Sequence, residues 1–200
     1  MTATGNPVRE SFTLDLLEWT PWIERATDTD LSPERRDEVR AFIGDRTSAA
    51  TDYVNVLAND FAALKTRALV HRHVYSSTDP EPTAWRELGA TTTSRINGCV
   101  FCASVHARMY AAATKRRDLI QRFLDEGLEA DLPPIERAVV DLSAKVTLDP
   151  ESLTAADLQP LRDLGLDDLT ILDTINYAAF FANANRLMLT LGEPRSASKR

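Results

Sequence analysis

The chain has 200 residues, of which 44% are hydrophobic and 26% charged, with a formal net charge of −7 and an isoelectric point near 5.0. A chain of this size and composition can bury a substantial core without disulfide or metal staples, so its two cysteines are not needed to hold the fold. The acidic balance argues against a nucleic-acid partner, because affinity for a phosphate backbone comes from clustered Lys and Arg.

The first residues do not resemble a targeting segment. They lack a basic start followed by an apolar run, and no stretch of the chain approaches the roughly 18 apolar residues of a membrane span. We therefore expect a cytoplasmic protein with no membrane partner. In that reducing compartment, two thiols are more typical of redox chemistry or metal binding than of a permanent bridge.

Helical periodicity dominates the N-terminal part of the chain. Few glycines, few β-branched runs and repeated 3-4 spacing of apolar residues predict an all-α protein, and no strand alternation is long enough to compete. Ser32 and Pro33 predict the start of a helix, which Gly44 should end. Before it lies an apolar segment that we expect to dock on the body of the protein. Its apolar residues are Leu14, Leu16, Leu17, Trp19, Trp22 and Ile23.

The middle of the chain carries a loop signal and then an unusual helical segment. Two prolines in residues 76–82 predict a loop, and residues 83–96 have small and hydroxyl side chains where stronger helix formers would be expected. Small side chains let neighbouring helices approach closely. Asn97 and Gly98 then form a turn signal, after which residues 99–113 are predicted to be one helix.

The C-terminal half continues the helical pattern. We expect a helix over residues 118–126, and a short helix that starts at a capping box formed by Thr154 and Asp157. From Asp167 to Gly192 the chain has no helix breaker and is rich in apolar residues. A helix that is apolar on so many sides is predicted to lie at the centre of the core, and the polar tail after it is expected to fray.

The two cysteines lie three residues apart in the stretch "NGCVFCASVH", a spacing with a chance probability of about one in a hundred. On a helix, Cys102 lies about 60° and His106 about 20° around the axis from Cys99, so the three side chains share one stripe. The pair is close enough for a disulfide. Its place in the first helical turn favours thiolate, and the imidazole is a candidate acceptor for the thiol proton.

Glu87 is the candidate carboxylate behind that imidazole. If Asn97 and Gly98 join two antiparallel helices, Glu87 and His106 lie within about 3 Å of each other in height, because each residue rises about 1.5 Å. If the two segments were one continuous helix, these residues would be about 30 Å apart. The predicted proton relay is Glu87, His106 and Cys102.

Two other interpretations of the cysteines remain open at this point. They could be an inert buried pair, as free cysteines often are. They could also bind zinc, with His106 as third ligand and His71 or His73 as fourth, although three ligands on one helix stripe would strain tetrahedral geometry. Our preferred interpretation has no metal and no cofactor, and uses Cys99 and Cys102 as a redox couple.

The residues also resemble a known family. The segments "RELGATTTSRINGCVFCASVHARMYAAATKR" and "GLDDLTILDTINYAAFFANANRLMLTLGEP" are similar to the AhpD-like alkylhydroperoxidase branch of the carboxymuconolactone decarboxylase superfamily, and to its peroxidase-related members. The resemblance implies a single AhpD-like helical domain over 1–200. Residues 83–194 would be the core that matches the family, and residues 1–82 a helical N-terminal extension.

The resemblance implies a peroxidase cycle and a usually oligomeric assembly. Cys102 would attack a peroxide, Cys99 would resolve the resulting sulfenic acid as a disulfide, and Glu87 and His106 would relay protons. A dithiol or a protein reductant would restore the thiols. One position departs from the family, which carries a histidine directly before the second cysteine where this chain has Phe101. The pocket is therefore expected to be more apolar.

The sequence thus predicts a thiol-dependent peroxidase or related disulfide oxidoreductase that acts on a peroxide and forms a homo-oligomer. The alternative, from a different functional class, is a non-redox helical protein that retains the fold and serves in ligand binding or assembly. The two differ in whether peroxide converts the thiol pair to a disulfide.

Overall fold

Helices make up most of the chain, which confirms the all-α fold class. The computed structural model describes residues 11–28, 32–43, 51–74 and 80–196. In these ranges no helix is both long enough and apolar enough to cross a membrane. The helices are α1 (Pro33–Ile43), α2 (Thr51–Leu57), α3 (Phe61–Val74), α4 (Pro80–Ile96), α5 (Val100–Thr114), α6 (Arg117–Glu126), α7 (Pro134–Leu148), α8 (Ala155–Asp163) and α9 (Asp168–Leu191).

Helix α4 lies at the centre and packs against α5, α7 and α9. Its small residues explain how three helices reach it. A Cβ atom added at Gly89 would lie 3.1 Å from the Ser143 hydroxyl on α7 and 3.4 Å from a methyl carbon of Thr174 on α9. The Thr91 and Thr92 hydroxyls donate to the carbonyls one turn earlier, so these buried groups are satisfied within the helix. The run of small side chains therefore serves close helix packing.

The Asn97-Gly98 turn reverses the chain between α4 and α5, as predicted. Gly98 has a φ of +76°, a left-handed conformation that glycine adopts without steric penalty. The Cys99 N–H donates to the Ser94 carbonyl at 2.8 Å, which ties the end of the turn back to α4. Cys99 is the N-cap residue of α5, so the helix begins one residue later than expected.

A two-stranded antiparallel sheet corrects the expectation that the chain has no strands and that its polar tail frays from residue 194 onwards. Strand β1 (Leu17–Pro21) pairs with β2 (Gly192–Ser196), with Leu17 opposite Ser196. The apolar N-terminal segment does dock, since Trp19 is 2% exposed and its Nε1 donates to the Met188 carbonyl at 3.2 Å. Strand β2 has the sequence GEPRS, with no alternation of apolar and polar residues, so sequence periodicity does not detect the pair.

Two boundary predictions have different outcomes. The loop predicted at 76–82 ends too late, because α4 already begins at Pro80. A proline is tolerated in the first helical turn, since the backbone N–H that it lacks would have no helical partner there. Residues 75–79 and the predicted helix end at Gly44 lie outside the described residues. The capping box of Thr154 and Asp157 at the start of α8 is confirmed.

The segments before α4 cover one side of the two cysteines. Residues of β1 and α2 join α5 and α9 in one buried cluster, whereas a separate cluster joins the other faces of α5 and α9 to α4, α6, α7 and α8. The cluster around the cysteines comprises Leu17, Trp19, Tyr53, Val56, Ala90, Cys99, Val100, Phe101, Cys102, Tyr177, Phe181, Ala184 and Met188. The candidate site thus lies where the N-terminal segments meet the α4–α5–α9 core.

Candidate active site

Cys99 and Cys102 lie together at the start of α5. Both are free thiols, and their exposed fractions are 2% and 5%. Their side chains lie within hydrogen-bond reach of each other. The turn and the helix therefore bring the two sulfurs together, as the spacing predicts, in a site that largely excludes water.

The pKa of Cys99 is lowered from its ordinary value. The largest cause is a hydrogen bond from the Cys102 thiol, and the backbone N–H groups of Cys102 and Phe101 and the Asn185 side chain act in the same direction, while burial opposes them. These N–H groups belong to the first turn of α5, where backbone donors have no helical partner. The negative charge of a singly ionised pair is therefore held at Cys99.

The pKa of Cys102 is raised well above its ordinary value. The hydrogen bond to Cys99 is the largest cause, followed by burial and by repulsion from the Cys99 charge. The Asn185 side chain and the positive charge of Arg67 oppose the rise. Because two interacting thiols lose their protons in two steps, Cys102 keeps its proton until another group removes it.

His106 and Glu87 meet directly, which confirms that α4 and α5 are antiparallel at matching height. The His106 Nδ1 atom lies 2.6 Å from Glu87 Oε2, and both side chains are buried. A carboxylate only accepts hydrogen bonds, so Nδ1–H donates and Nε2 is left to exchange a proton. His106 follows Cys102 by one helical turn, on the same face of α5.

Aromatic side chains of α9 also contact the His106 imidazole. The centroid of the Phe181 ring lies 4.0 Å from that of His106, and the Tyr177 ring is edge-on to the same imidazole at 5.9 Å. Phe101, at the position where the family has a histidine, is 4% exposed and packs in the same cluster. The surroundings of the sulfurs are therefore apolar and aromatic.

Asn185 of α9 is a further polar residue of the site. It is fully buried, its Nδ2 donates to the Ser94 hydroxyl at 3.0 Å, and its Oδ1 accepts from Asn97 Nδ2 at 3.1 Å. The same amide stabilises thiolate at both cysteines. A sequence signal exists in hindsight, because Tyr177, Phe181 and Asn185 are each four residues apart and so lie on one face of α9.

Two further polar residues near the sulfurs come from the N-terminal helices and carry no sequence signal. Tyr53 of α2 lies in the cysteine cluster, and Arg67 of α3 lies with its guanidinium carbon 5.5 Å from the centroid of the Tyr53 ring. The Arg67 charge also acts on Cys102, as described above. Neither residue belongs to a motif, and their approach to α5 depends on how the N-terminal segments pack.

The zinc interpretation requires a fourth ligand near the cysteines. His71 of α3 instead contacts aromatic residues of α9, with its ring centroid 5.9 Å from Tyr177 and 5.1 Å from Phe180. The side chain of His73 is outside the described residues. Among the side chains that are described, no three of the His, Cys, Asp and Glu type converge as metal ligands would.

Solved structures share this fold. An uncharacterized peroxidase-related protein from Ralstonia eutropha JMP134, named alkylhydroperoxidase AhpD core, is 23% identical with a TM-score of 0.66, over 80% of this chain and 84% of its own. An uncharacterized peroxidase-related protein from Silicibacter sp. TM1040 is 21% identical with a TM-score of 0.69, over 88% of this chain and 95% of its own. No protein-family model and no curated protein matches the chain. The likeness establishes an AhpD-like helical fold.

Proposed function

We propose that this chain is a thiol-dependent peroxidase of the AhpD-like family, which reduces a hydroperoxide through Cys102 and Cys99 with His106 and Glu87 as the proton relay. The observation that carries the proposal is the meeting of two buried thiols with a hydrogen-bonded imidazole and carboxylate one helical turn away. The names of the two solved structures with this fold support the same chemistry.

The first step oxidises Cys102. His106 takes the thiol proton of Cys102, and Glu87 stabilises the imidazolium that forms. The sulfur of Cys102 then attacks the terminal oxygen of the hydroperoxide ROOH. An S–O bond forms, the O–O bond breaks, and the leaving alkoxide takes up a proton to become ROH. Cys102 is left as a sulfenic acid.

The second step forms the disulfide. Cys99, whose pKa is lowered mainly by the hydrogen bond from Cys102, supplies a thiolate that attacks the Cys102 sulfur. The S–S bond forms and hydroxide leaves as water after protonation. A sulfenic acid beside a second thiol condenses in this way rather than oxidising further. The sum is two thiols and ROOH giving one disulfide, ROH and water.

The disulfide then requires two electrons from outside the chain, which we assign to a dithiol or a protein reductant. Reduction by exchange needs access to one sulfur of the pair. Cys102 is the slightly more exposed of the two cysteines, although it is only 5% exposed.

We also propose that the chain forms a homo-oligomer, which size-exclusion chromatography with light scattering tests. Exposed leucines such as Leu169 and Leu172 on α9 support this proposal, being 65% and 52% exposed.

Thiol titration with and without peroxide, combined with intact mass, tests the proposed function. We expect peroxide to remove both titratable thiols, to lower the mass by two hydrogens, and to do so reversibly with a dithiol. Cys102→Ser should abolish peroxide consumption, whereas Cys99→Ser should accumulate a sulfenic acid at Cys102 that a dimedone label traps.

Two results would contradict this assignment. Two free thiols after prolonged peroxide treatment would favour the non-redox ligand-binding or assembly protein of the same fold. If the Cys102→Ser variant consumed peroxide at the wild-type rate and formed a dimedone adduct on Cys99, the roles of the two cysteines would be reversed.

A further inference from the structure

The Tyr53 hydroxyl is a buried polar group that the described residues leave without a hydrogen-bond partner. Tyr53 is 6% exposed, and its Oη atom is closed off from solvent. Buried polar groups in native proteins are nearly always paired, because an unpaired hydroxyl loses its hydrogen bonds to water and gains nothing in return. Because it lies in the cysteine cluster, this hydroxyl is available to donate to a ligand oxygen that enters the site.

The Tyr53 side chain lies in the same buried cluster as the two sulfurs. The ring packs in the cysteine cluster and lies edge-on to Trp19, with centroids 5.7 Å apart. Burial raises the pKa of Tyr53 to about 12, with the charges of Cys102 and Cys99 adding to the rise and Arg67 opposing it. The phenol therefore keeps its proton at neutral pH and is available as a hydrogen-bond donor beside the thiols.

Arg67 supplies a second donor next to Tyr53. Its guanidinium carbon lies 4.5 Å from the Phe180 centroid and 5.5 Å from that of Tyr53, so the guanidinium contacts both rings. Its Nε atom is buried and, like the Tyr53 hydroxyl, has no hydrogen-bond partner in the described ranges. Two buried donors without acceptors thus lie on the α2–α3 side of the cysteine pair.

We infer that Tyr53, together with Arg67, binds the peroxide oxygen that leaves when Cys102 attacks. This inference rests on the proposed peroxidase function. In the attack, the bond between Cys102 sulfur and the terminal oxygen forms while the O–O bond breaks, and negative charge develops on the leaving oxygen. Donors that are already in place in a site that excludes water stabilise this charge without reorganising.

The substrate class follows from the same surroundings. The occupant needs an oxygen that accepts two hydrogen bonds and an adjacent oxygen that Cys102 can attack, which is the O–O–H group of a hydroperoxide. The thiols are at most 5% exposed and are flanked by Phe101 and Phe181. The site therefore takes hydrogen peroxide or a small alkyl hydroperoxide in preference to one with an aromatic substituent such as cumene hydroperoxide.

The N-terminal segments would then be part of the active site. His106 and Glu87, from α5 and α4, handle the proton of the attacking thiol, while Tyr53 and Arg67, from α2 and α3, hold the leaving oxygen. The two pairs have different tasks, and both act in the step in which Cys102 attacks the peroxide.

The test compares Tyr53→Phe with Tyr110→Phe in the full chain. Tyr110 is the matched control because it is also buried, while its hydroxyl donates to Glu136 at 2.9 Å, in the cluster that lacks the cysteines. The reduced proteins are mixed with hydrogen peroxide, tert-butyl hydroperoxide or cumene hydroperoxide, and the loss of thiols is followed in time. Diamide, which oxidises dithiols without an O–O bond, is the second oxidant.

We expect Tyr53→Phe to lower the rate constant with peroxide about 100-fold, the lower end of the range seen when an oxyanion donor is removed. Its rate with diamide should not change, and its melting temperature should stay the same or rise because an unpaired hydroxyl has been removed. Tyr110→Phe should show the opposite pattern, with a lower melting temperature and an unchanged peroxide rate. Arg67→Met should also slow the peroxide reaction, with partial recovery in Arg67→Lys.

Several results would overturn the inference. A wild-type peroxide rate in Tyr53→Phe, with wild-type protein reacting normally, removes the donor role and leaves the proposed peroxidase function intact. Equal slowing with diamide and peroxide assigns Tyr53 a general effect on the thiols instead. Faster reaction with cumene hydroperoxide than with hydrogen peroxide contradicts the substrate class. Wild-type protein that reacts with diamide and with no peroxide defeats the proposed function and this inference together.

Discussion

Replacing Glu87 with Gln is expected to slow peroxide-driven disulfide formation about 5- to 30-fold. The carboxylate is fully buried and accepts the Nδ1–H of His106 at 2.6 Å. A glutamine has the same shape and still offers an oxygen, but it lacks the negative charge that stabilises the imidazolium. A hydrogen bond to a charged group contributes about 1 to 2 kcal/mol more than a neutral one, which corresponds to that range of rates.

The assay follows the reduced protein after mixing with peroxide, with samples quenched by an alkylating agent and analysed by intact mass. The rate of disulfide formation is measured at several peroxide concentrations, so that attack on the peroxide is separated from closure of the disulfide. Glu87→Gln should slow the concentration-dependent step, because that is the step in which His106 must accept the Cys102 proton.

Glu136→Gln is the matched control. Glu136 is the other fully buried glutamate among the described residues, and it accepts from the Tyr110 hydroxyl and pairs with Arg116. Tyr110 lies about two helical turns along α5 from Cys102. This variant should lose thermal stability and keep its rate with peroxide. A wild-type rate in Glu87→Gln, or equal slowing in both variants, would refute the relay, since the second result would reflect only the loss of a buried charge.

Three further predictions concern the thiols, the strand pair and the capping box. Because the Cys102 thiol is the main cause of the lowered pKa of Cys99, Cys102→Ala should raise that pKa. Titration of thiolate absorbance at 240 nm measures it, and an unchanged pKa of Cys99 would contradict the role of the Cys102 hydrogen bond. Gly192→Ala should destabilise the protein by about 1–3 kcal/mol and speed amide exchange in β1, because its Cβ would collide with the Trp19 ring and the Thr20 carbonyl oxygen of β1. The control is Gly165→Ala, which strains a left-handed position (φ +94°) outside the sheet and should not raise exchange in β1 above that in the rest of the chain. The pKa of Asp157 is lowered to about 2, mainly by a hydrogen bond from Lys145, so its contribution to stability is present above the ordinary aspartate range and is lost as pH falls through about 2. Asp157→Asn should therefore lower the urea midpoint at pH 6. A difference in midpoint from the wild type that is just as large at pH 2 would contradict this.

The local features of the fold follow from sequence patterns. Apolar spacing identifies the helices of the core, and turn and capping residues mark ends such as the Asn97-Gly98 turn and the Thr154-Asp157 capping box. These signals act over one or two helical turns, and neighbouring residues in the chain are enough to determine them. The strand pair escapes such analysis because β1 and β2 are stabilised by each other from opposite ends of the chain.

The sequence by itself determined the stripe of Cys99, Cys102 and His106, because helix geometry places residues three and four apart on one face. It also determined the height at which Glu87 meets His106, since a tight turn leaves two antiparallel helices little freedom in register. Only the tertiary structure decided that Tyr53, Arg67 and Asn185 surround the same sulfurs. Their approach depends on how α2, α3 and α9 pack onto α5, and such contacts join residues distant in sequence, where no local periodicity records them.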